Sequence, residues 1–282
     1  MTPAPDSAPS FSHDVAVTTI TRYCRLIDRL HGPGTTKYPP AGGWTQVEAH
    51  LGEHLNLGPE AVRLIRYLPH CEYHIVPECR PRNYPAGFDH VLATIAETKK
   101  PPRPEYEGFP ELDPEFPPHI FELAGGGYRM GCRLAIDTKR GVAIWHNTNE
   151  DSLAKGCPEP DAAPEIDFDP DPEAHEPLYT HRGWRAAPTY RIETFFAMAE
   201  EQLKLLNWIP RLDSGGGEID EPRVYGVLDE EQQGRIKIMK DAGWPAETWD
   251  YFHAPQVTWD WIDARIAVEM AADEKRRLPA GL

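Results

Sequence analysis

The sequence has little positive charge and no long apolar run. Lys and Arg number 29 against 45 Asp and Glu, which gives a formal net charge of −16 at pH 7. Proteins that bind nucleic acids or anionic lipid surfaces present basic patches to phosphate groups, so this balance argues against both kinds of partner. No stretch approaches the roughly 20 apolar residues that span a bilayer. The N-terminus also lacks the basic start and the apolar run of a secretory signal.

Cysteine is scarce, and the number of cysteines is odd. The chain has five, spread between positions 24 and 157. A chain of this length can build an apolar core without disulfides, and scattered cysteines are typical of reduced thiols in the cytosol or nucleus. We therefore expect a soluble protein of the cytoplasm or nucleus.

Proline, in contrast, is abundant and lies mostly in connecting stretches. It accounts for 30 of the 282 residues, about twice the usual share of ~5%. Residues 150–178 combine ten acidic residues with many prolines, a composition too poor in apolar residues to fold alone. We expect residues 1–12 to form a disordered tail and residues 13–282 to form a single α+β domain. An acidic loop is expected as an insertion at about 150–180.

Apolar residues recur at helical spacing in several segments, and capping signals mark where the helices begin. The predicted helices cover residues 13–31, 59–69, about 190–207, 229–243 and about 256–277. A further predicted helix opens with a capping box at Thr45. The last of them carries four apolar residues on one face, namely Trp259, Ile262, Ile266 and Met270.

Alternation with a period of two marks the strands. Between residues 128 and 137 every second residue is apolar, the pattern of a sheet with one face on a core. The predicted strands cover residues 73–76, 119–123, 128–137 and 142–146, and Gly141 closes the turn between the last two. The predicted fold class is therefore α+β, with a small central antiparallel sheet flanked by N- and C-terminal helices.

One short string carries a possible metal site. His50, Glu53 and His54 fit the pattern H-x-x-E-H, in which two histidines one helical turn apart can share a zinc ion while the glutamate acts as general base. Gly52 within the string weakens the helix that would hold these ligands. The alternative is that both histidines are partly buried helix residues, in which case no cofactor is expected.

A second group of possible soft ligands follows, made of His70, Cys71, His74 and Cys79. Its spacing is not one of the common structural zinc spacings. We therefore interpret these four residues as core and strand residues.

An island of cationic and aromatic residues comes directly after the acidic loop. Arg182, Trp184 and Arg185 are of the residue types that dominate protein–protein interfaces, which makes them candidate binding residues. His181 precedes them. The alternative interpretation is that the arginines pair with the acidic loop.

Several strings taken together resemble a large group of fungal proteins that is similar to the SUKH superfamily of fungal cell-wall-synthesis regulators and bacterial toxin-immunity proteins. The strings are Leu55–Pro69, Leu134–Gly141, Leu206–Pro210 and Ile238–Pro245. The resemblance covers residues 44–262 and implies an α+β fold with a central antiparallel sheet. It also implies a protein-binding or regulatory role without catalysis, and it carries over no catalytic residues.

Two classes of function follow from the sequence. The first is an acidic, SUKH-like interaction module whose partner is a protein. The second is an enzyme, either a zinc hydrolase at His50 and His54 or a metal-free tailoring enzyme or cyclase of a fungal biosynthetic pathway acting on a small molecule. The tailoring enzyme would use His146 or His181 as acid or base. Its pocket would be lined by aromatic residues, with Trp145, Trp184 and Trp259 as the candidates.

Overall fold

The chain combines helices with antiparallel sheets. The structure is a computed structural model and describes residues 11–45, 57–77, 80–81, 116–125, 132–147, 159–163, 185, 187–212, 218–220 and 228–277. The helices in this part are α1 His13–His31, α2 Pro59–Tyr67, α3 Ile192–Leu205, α4 Glu230–Asp241 and α5 His253–Arg277. The strands are β1 Thr36–Lys37, β2 His70–Cys71, β3 Arg80–Pro81, β4 Ile120–Gly125, β5 Cys132–Asp137, β6 Val142–Asn147, β7 Thr189–Arg191, β8 Ile209–Pro210 and β9 Ile219–Asp220. The predicted α+β class is confirmed.

Helix α1 occupies the residues that its apolar spacing predicted. Ile20, Tyr23, Ile27 and Leu30 lie on its buried face, and they recur every three to four residues, as one face of a helix requires. The helix ends before Gly32, whose φ of +104° is a conformation that glycine adopts more readily than residues with a Cβ.

Within the described residues, the central sheet has five antiparallel strands in the order β3-β4-β5-β6-β7. Its β5–β6 hairpin is the one predicted from alternation, and the turn places Asp137 opposite Val142. The buried Asp137 carboxylate accepts hydrogen bonds from the backbone amides of Lys139 and Arg140 at 2.8 and 3.0 Å, which stabilises the turn locally. Gly141 completes it with a φ of +69°.

The core between this sheet and helices α1 and α3 is rich in aromatic residues. Phe195 and Phe196 of α3 lie with their ring centroids 5.3 Å apart. Tyr23 of α1 contacts Phe196 at 5.3 Å, and Trp145 of β6 contacts Phe195 at 5.2 Å. Aromatic rings bury large apolar areas, so this cluster joins the sheet to both helices.

The short strand predicted at residues 73–76 is wrong. The strand lies earlier, at His70–Cys71, where it pairs with Lys37 and Thr36 of the two-residue strand β1. The Glu72 amide donates to the Thr35 carbonyl at 3.0 Å, after which the chain bends. Since β1 offers only two residues for pairing, the ladder stops there. The helix predicted from Thr45 lies almost wholly outside the described residues.

Helices α4 and α5 begin at side-chain caps. Asp229 accepts a hydrogen bond from the Gln232 amide at 2.8 Å, and the Gln232 side chain accepts one from the Asp229 amide at 3.3 Å, which forms a capping box. The Asp250 carboxylate accepts from the His253 amide at 3.0 Å, so α5 begins three residues earlier than predicted. None of the helices in the described part of the chain combines the length and apolar character needed to cross a membrane.

Candidate functional site

Several residues singled out in the sequence lie outside the part of the chain that the structure describes. They are His50, Glu53, His54, His181, Arg182 and Trp184. The zinc motif and most of the cationic island therefore stay predictions. His146 lies on β6 with its backbone opposite Arg133 of β5, and its side chain is outside the described part. Arg185 is described and is half-buried.

Trp145 is a core residue. Its side chain is 4% exposed, and its indole ring stacks on that of Trp208 with the centroids 5.6 Å apart and the planes inclined by 15°. The Phe195 ring covers it as well. The structure therefore places Trp145 among the core residues, and its predicted role in lining a pocket stays a prediction.

The described members of the soft-ligand group are buried. His70, Cys71 and His74 are all less than a tenth exposed, and Cys79 lies outside the described residues. Where the structure describes the chain, no three His, Cys, Asp or Glu side chains are placed to share a metal ion.

Two of the buried imidazoles come from distant parts of the sequence. His31 at the end of α1 lies near His74, and its ring centroid is 4.7 Å from that of Tyr73. Burial, with a smaller contribution from His74, lowers the pKa of His31 from 6.5 to about 3. Within the described residues the buried Nε2 atom of His31 has no hydrogen-bond partner. The folded chain therefore holds this imidazole in its neutral form.

The most unusual described surface is one side of α5. Trp259 is 47% exposed, Ile266 46% and Met270 68%, and Ile262 between them is half-buried. These four residues, here called the outer row, are spaced by three and four positions, so they line one side of the helix. Isolated exposed apolar residues are common, whereas continuous apolar surfaces usually mark an interaction site.

The opposite side of α5 is fixed to α4. Trp261 lies directly over Gly234, because a Cβ atom added to Gly234 would stand only 2.3 Å from the Trp261 ring. Arg265 lies over the same ring at 5.6 Å and donates to the Glu231 carboxylate at 3.0 Å. The helix is thereby held in an orientation that leaves the outer row exposed.

Replacement of Gly234 by valine should detach α5 from α4. Since the Trp261 ring occupies the space that the new side chain needs, we expect a loss of about 1–3 kcal/mol in the free energy of unfolding, measured by urea denaturation. Lys237→Val is the matched control on the exposed side of α4, with an expected change within about 0.5 kcal/mol. Equal values for the two variants would contradict the packing described here.

The sequence pattern revealed the outer row but not its exposure. The spacing of Trp259, Ile262, Ile266 and Met270 is equally typical of a helix face buried in a core. Two features of the sequence indicate that this helix faces solvent. The chain that follows the row has low hydropathy, and two aspartates, Asp260 and Asp263, lie beside the row.

Comparison of the chain with protein-family models, with curated proteins and with solved structures gives no match. The likeness to the SUKH superfamily therefore rests on the strings given above and stays a prediction.

Proposed function

We propose that this chain is a protein-interaction module without a catalytic role, and that the outer row of α5 binds an amphipathic helix of a partner protein. The exposure of Trp259, Ile266 and Met270 on a helix whose other side is fixed carries the proposal. Burying such a row against a partner removes apolar area from water, which is the main favourable term in protein association. Tryptophan is also the residue type most enriched among interface hot spots.

The spacing of the row suits a helical partner. With Trp259 as position i, the other three residues are at i+3, i+7 and i+11. Helices that lie in grooves or pair with one another use anchors at this spacing. From Trp259 to Met270 the row extends about 17 Å at a rise of 1.5 Å per residue, so a partner helix of three turns covers it.

Charge indicates the character of the partner. Asp260 and Asp263 are exposed beside the row, and the whole chain has a net charge of −16. A partner helix with basic residues beside its apolar face is therefore attracted, and an acidic one is repelled. The resemblance to the SUKH superfamily supports a protein-binding role. Cys24 and Cys71 are free thiols, which supports a reducing compartment such as the cytoplasm or nucleus.

The test is direct binding of a labelled amphipathic peptide of leucine and lysine, about 18 residues or five turns long, to the full chain. Fluorescence anisotropy should show that the double variant Trp259→Ser/Ile266→Ser binds at least about tenfold more weakly than the unchanged protein. A peptide with glutamate in place of lysine should bind more weakly to the unchanged protein.

Val268→Ser is the matched control. Val268 is 69% exposed on the same helix, but it is nine residues from Trp259, which is about two and a half turns at 3.6 residues per turn, so it lies on another side. This variant should bind the leucine–lysine peptide as the unchanged protein does. Equal affinity of all three proteins would refute the proposal.

A further inference from the structure

A cleft between α1 and the loop that begins at Tyr38 is not used by the proposed function. One wall is α1, whose residues Val17, Thr21 and Arg25 are spaced by four positions and share a side of the helix. The loop that begins at Tyr38 forms the facing wall, and Tyr67 at the end of α2 contributes to the cleft. Its volume is about 390 Å³, and it is an open groove.

Hydrogen bonds to α2 and its C-terminal end hold the loop wall in place. The Arg66 guanidinium donates to the Gly42 carbonyl through Nε at 2.9 Å and Nη2 at 2.6 Å. The Trp44 indole donates to the Leu68 carbonyl at 2.9 Å, and the Trp44 amide donates to the Arg66 carbonyl at 2.9 Å. A groove held open in this way does not have to be ordered when a ligand binds, which favours affinity.

The lining of the groove has a distinct chemistry. Tyr38 and Tyr67 supply ring surfaces, and Pro39 and Pro40 supply a rigid apolar wall. Partial burial, followed by the nearby Asp28 carboxylate, raises the pKa of Tyr38 to about 12. Like that of any tyrosine, its hydroxyl is protonated at neutral pH and can donate a hydrogen bond.

Arg25 is the one charged side chain among the lining residues. Among the residues that the structure describes, none forms a hydrogen bond or an ion pair with the Arg25 guanidinium. Locally, a cation that lines an open groove attracts a carboxylate.

We propose that this groove binds an extended, proline-rich peptide segment that carries an acidic residue. A polyproline II segment has no internal hydrogen bonds, so its carbonyl groups are free to accept from tyrosine hydroxyls, and its proline rings pack on aromatic side chains. The segment is already stiff before it binds, which suits a shallow groove. Arg25 pairs with the acidic side chain and sets the preference for it.

The test uses the full chain and three labelled peptides of equal length. One is a proline repeat with glutamate, the second has glutamine in place of glutamate, and the third is a glycine–serine repeat. Fluorescence anisotropy should show the glutamate peptide binding best and the glycine–serine peptide not at all. Arg25→Gln should weaken binding of the glutamate peptide about tenfold, as expected for a lost charged hydrogen bond, and should leave the glutamine peptide unchanged.

Two further variants test whether the peptides bind at the groove and not elsewhere on the protein. Tyr38→Leu should weaken binding of both proline peptides, because it removes the ring and its hydroxyl. Arg22→Gln is the matched control, since Arg22 is an exposed arginine of α1 that pairs with Glu200 at 3.2 Å and does not line the groove. It should bind like the unchanged protein.

Three results would overturn this inference. One is equal binding of the proline peptides and the glycine–serine peptide. Another is binding that neither Arg25→Gln nor Tyr38→Leu alters. The third is displacement of the glutamate peptide by micromolar 4-hydroxybenzoate, which would assign the groove to a small aromatic acid. Since the groove shares no residue with the outer row of α5, none of these results bears on the proposed function.

Discussion

Acidification from pH 7.5 to pH 5 should lower the free energy of unfolding by about 2 kcal/mol through His31 alone. His31 is buried beside Tyr73 and His74, and its pKa in the folded chain is about 3 against 6.5 for an exposed histidine. Each pKa unit of difference corresponds to about 1.4 kcal/mol. The full loss, which is reached only below about pH 3, is about 5 kcal/mol.

The direction of this effect follows from where the proton binds. Below pH 6.5 the unfolded chain takes up a proton at His31, while the folded chain leaves the imidazole neutral until about pH 3. Protonation therefore favours the unfolded state as the pH falls through this interval, and above pH 6.5 the contribution disappears because both states are neutral. His31 lies in the last turn of α1, where the helix dipole favours the cation, whereas burial disfavours the cation and lowers the pKa of His31.

The measurement is urea denaturation at several pH values between 5 and 7.5, with His31→Phe as the test variant. Phenylalanine keeps an aromatic ring against Tyr73 and removes the titration, so the stability of the variant should depend less steeply on pH, by about 2 kcal/mol over this interval. The control is His253→Gln, which replaces a histidine that is exposed on α5. Parallel pH profiles for the unchanged protein and His31→Phe would contradict the effect.

Local patterns predicted the elements well, because a helix or a hairpin is encoded in neighbouring residues. The apolar spacing in α1 and the turn closed by Gly141 are examples. Contacts between distant residues were not predictable in this way. Trp145 stacks on Trp208, and His31 lies near His74. In both cases the tertiary packing determines the surroundings of the side chain.

The outer row of α5 is a second case in which a local pattern does not predict a tertiary contact. Its periodicity predicted a helix with an apolar face, which is what the structure contains. Whether such a face is covered depends on which side of the helix Trp261 fixes to α4, and that contact joins residues on two helices. The sequence therefore indicated the candidate binding residue Trp259 without indicating that its row is open to solvent.

Replacement of Phe195 by alanine should lower the free energy of unfolding by about 3–5 kcal/mol. Its side chain is 0% exposed, and its ring lies 5.2 Å from Trp145, 5.3 Å from Phe196 and 5.9 Å from Tyr190. The change removes apolar contacts from three aromatic neighbours at once and leaves a cavity where the sheet meets α3. Urea denaturation at pH 7.5 measures the loss.

The matched control is Phe252→Ala, which removes the same atoms from a ring that is 80% exposed. Its effect on stability should stay within about 0.5 kcal/mol. If Phe195→Ala does not fold, Phe195→Leu retains most of the volume and should cost at most about 1.5 kcal/mol. A loss below about 1 kcal/mol for Phe195→Ala would mean that the aromatic cluster does not hold the sheet to α3. Because the cluster and the outer row share no residue, changes at Phe195 should alter stability, whereas changes at Trp259 should alter binding.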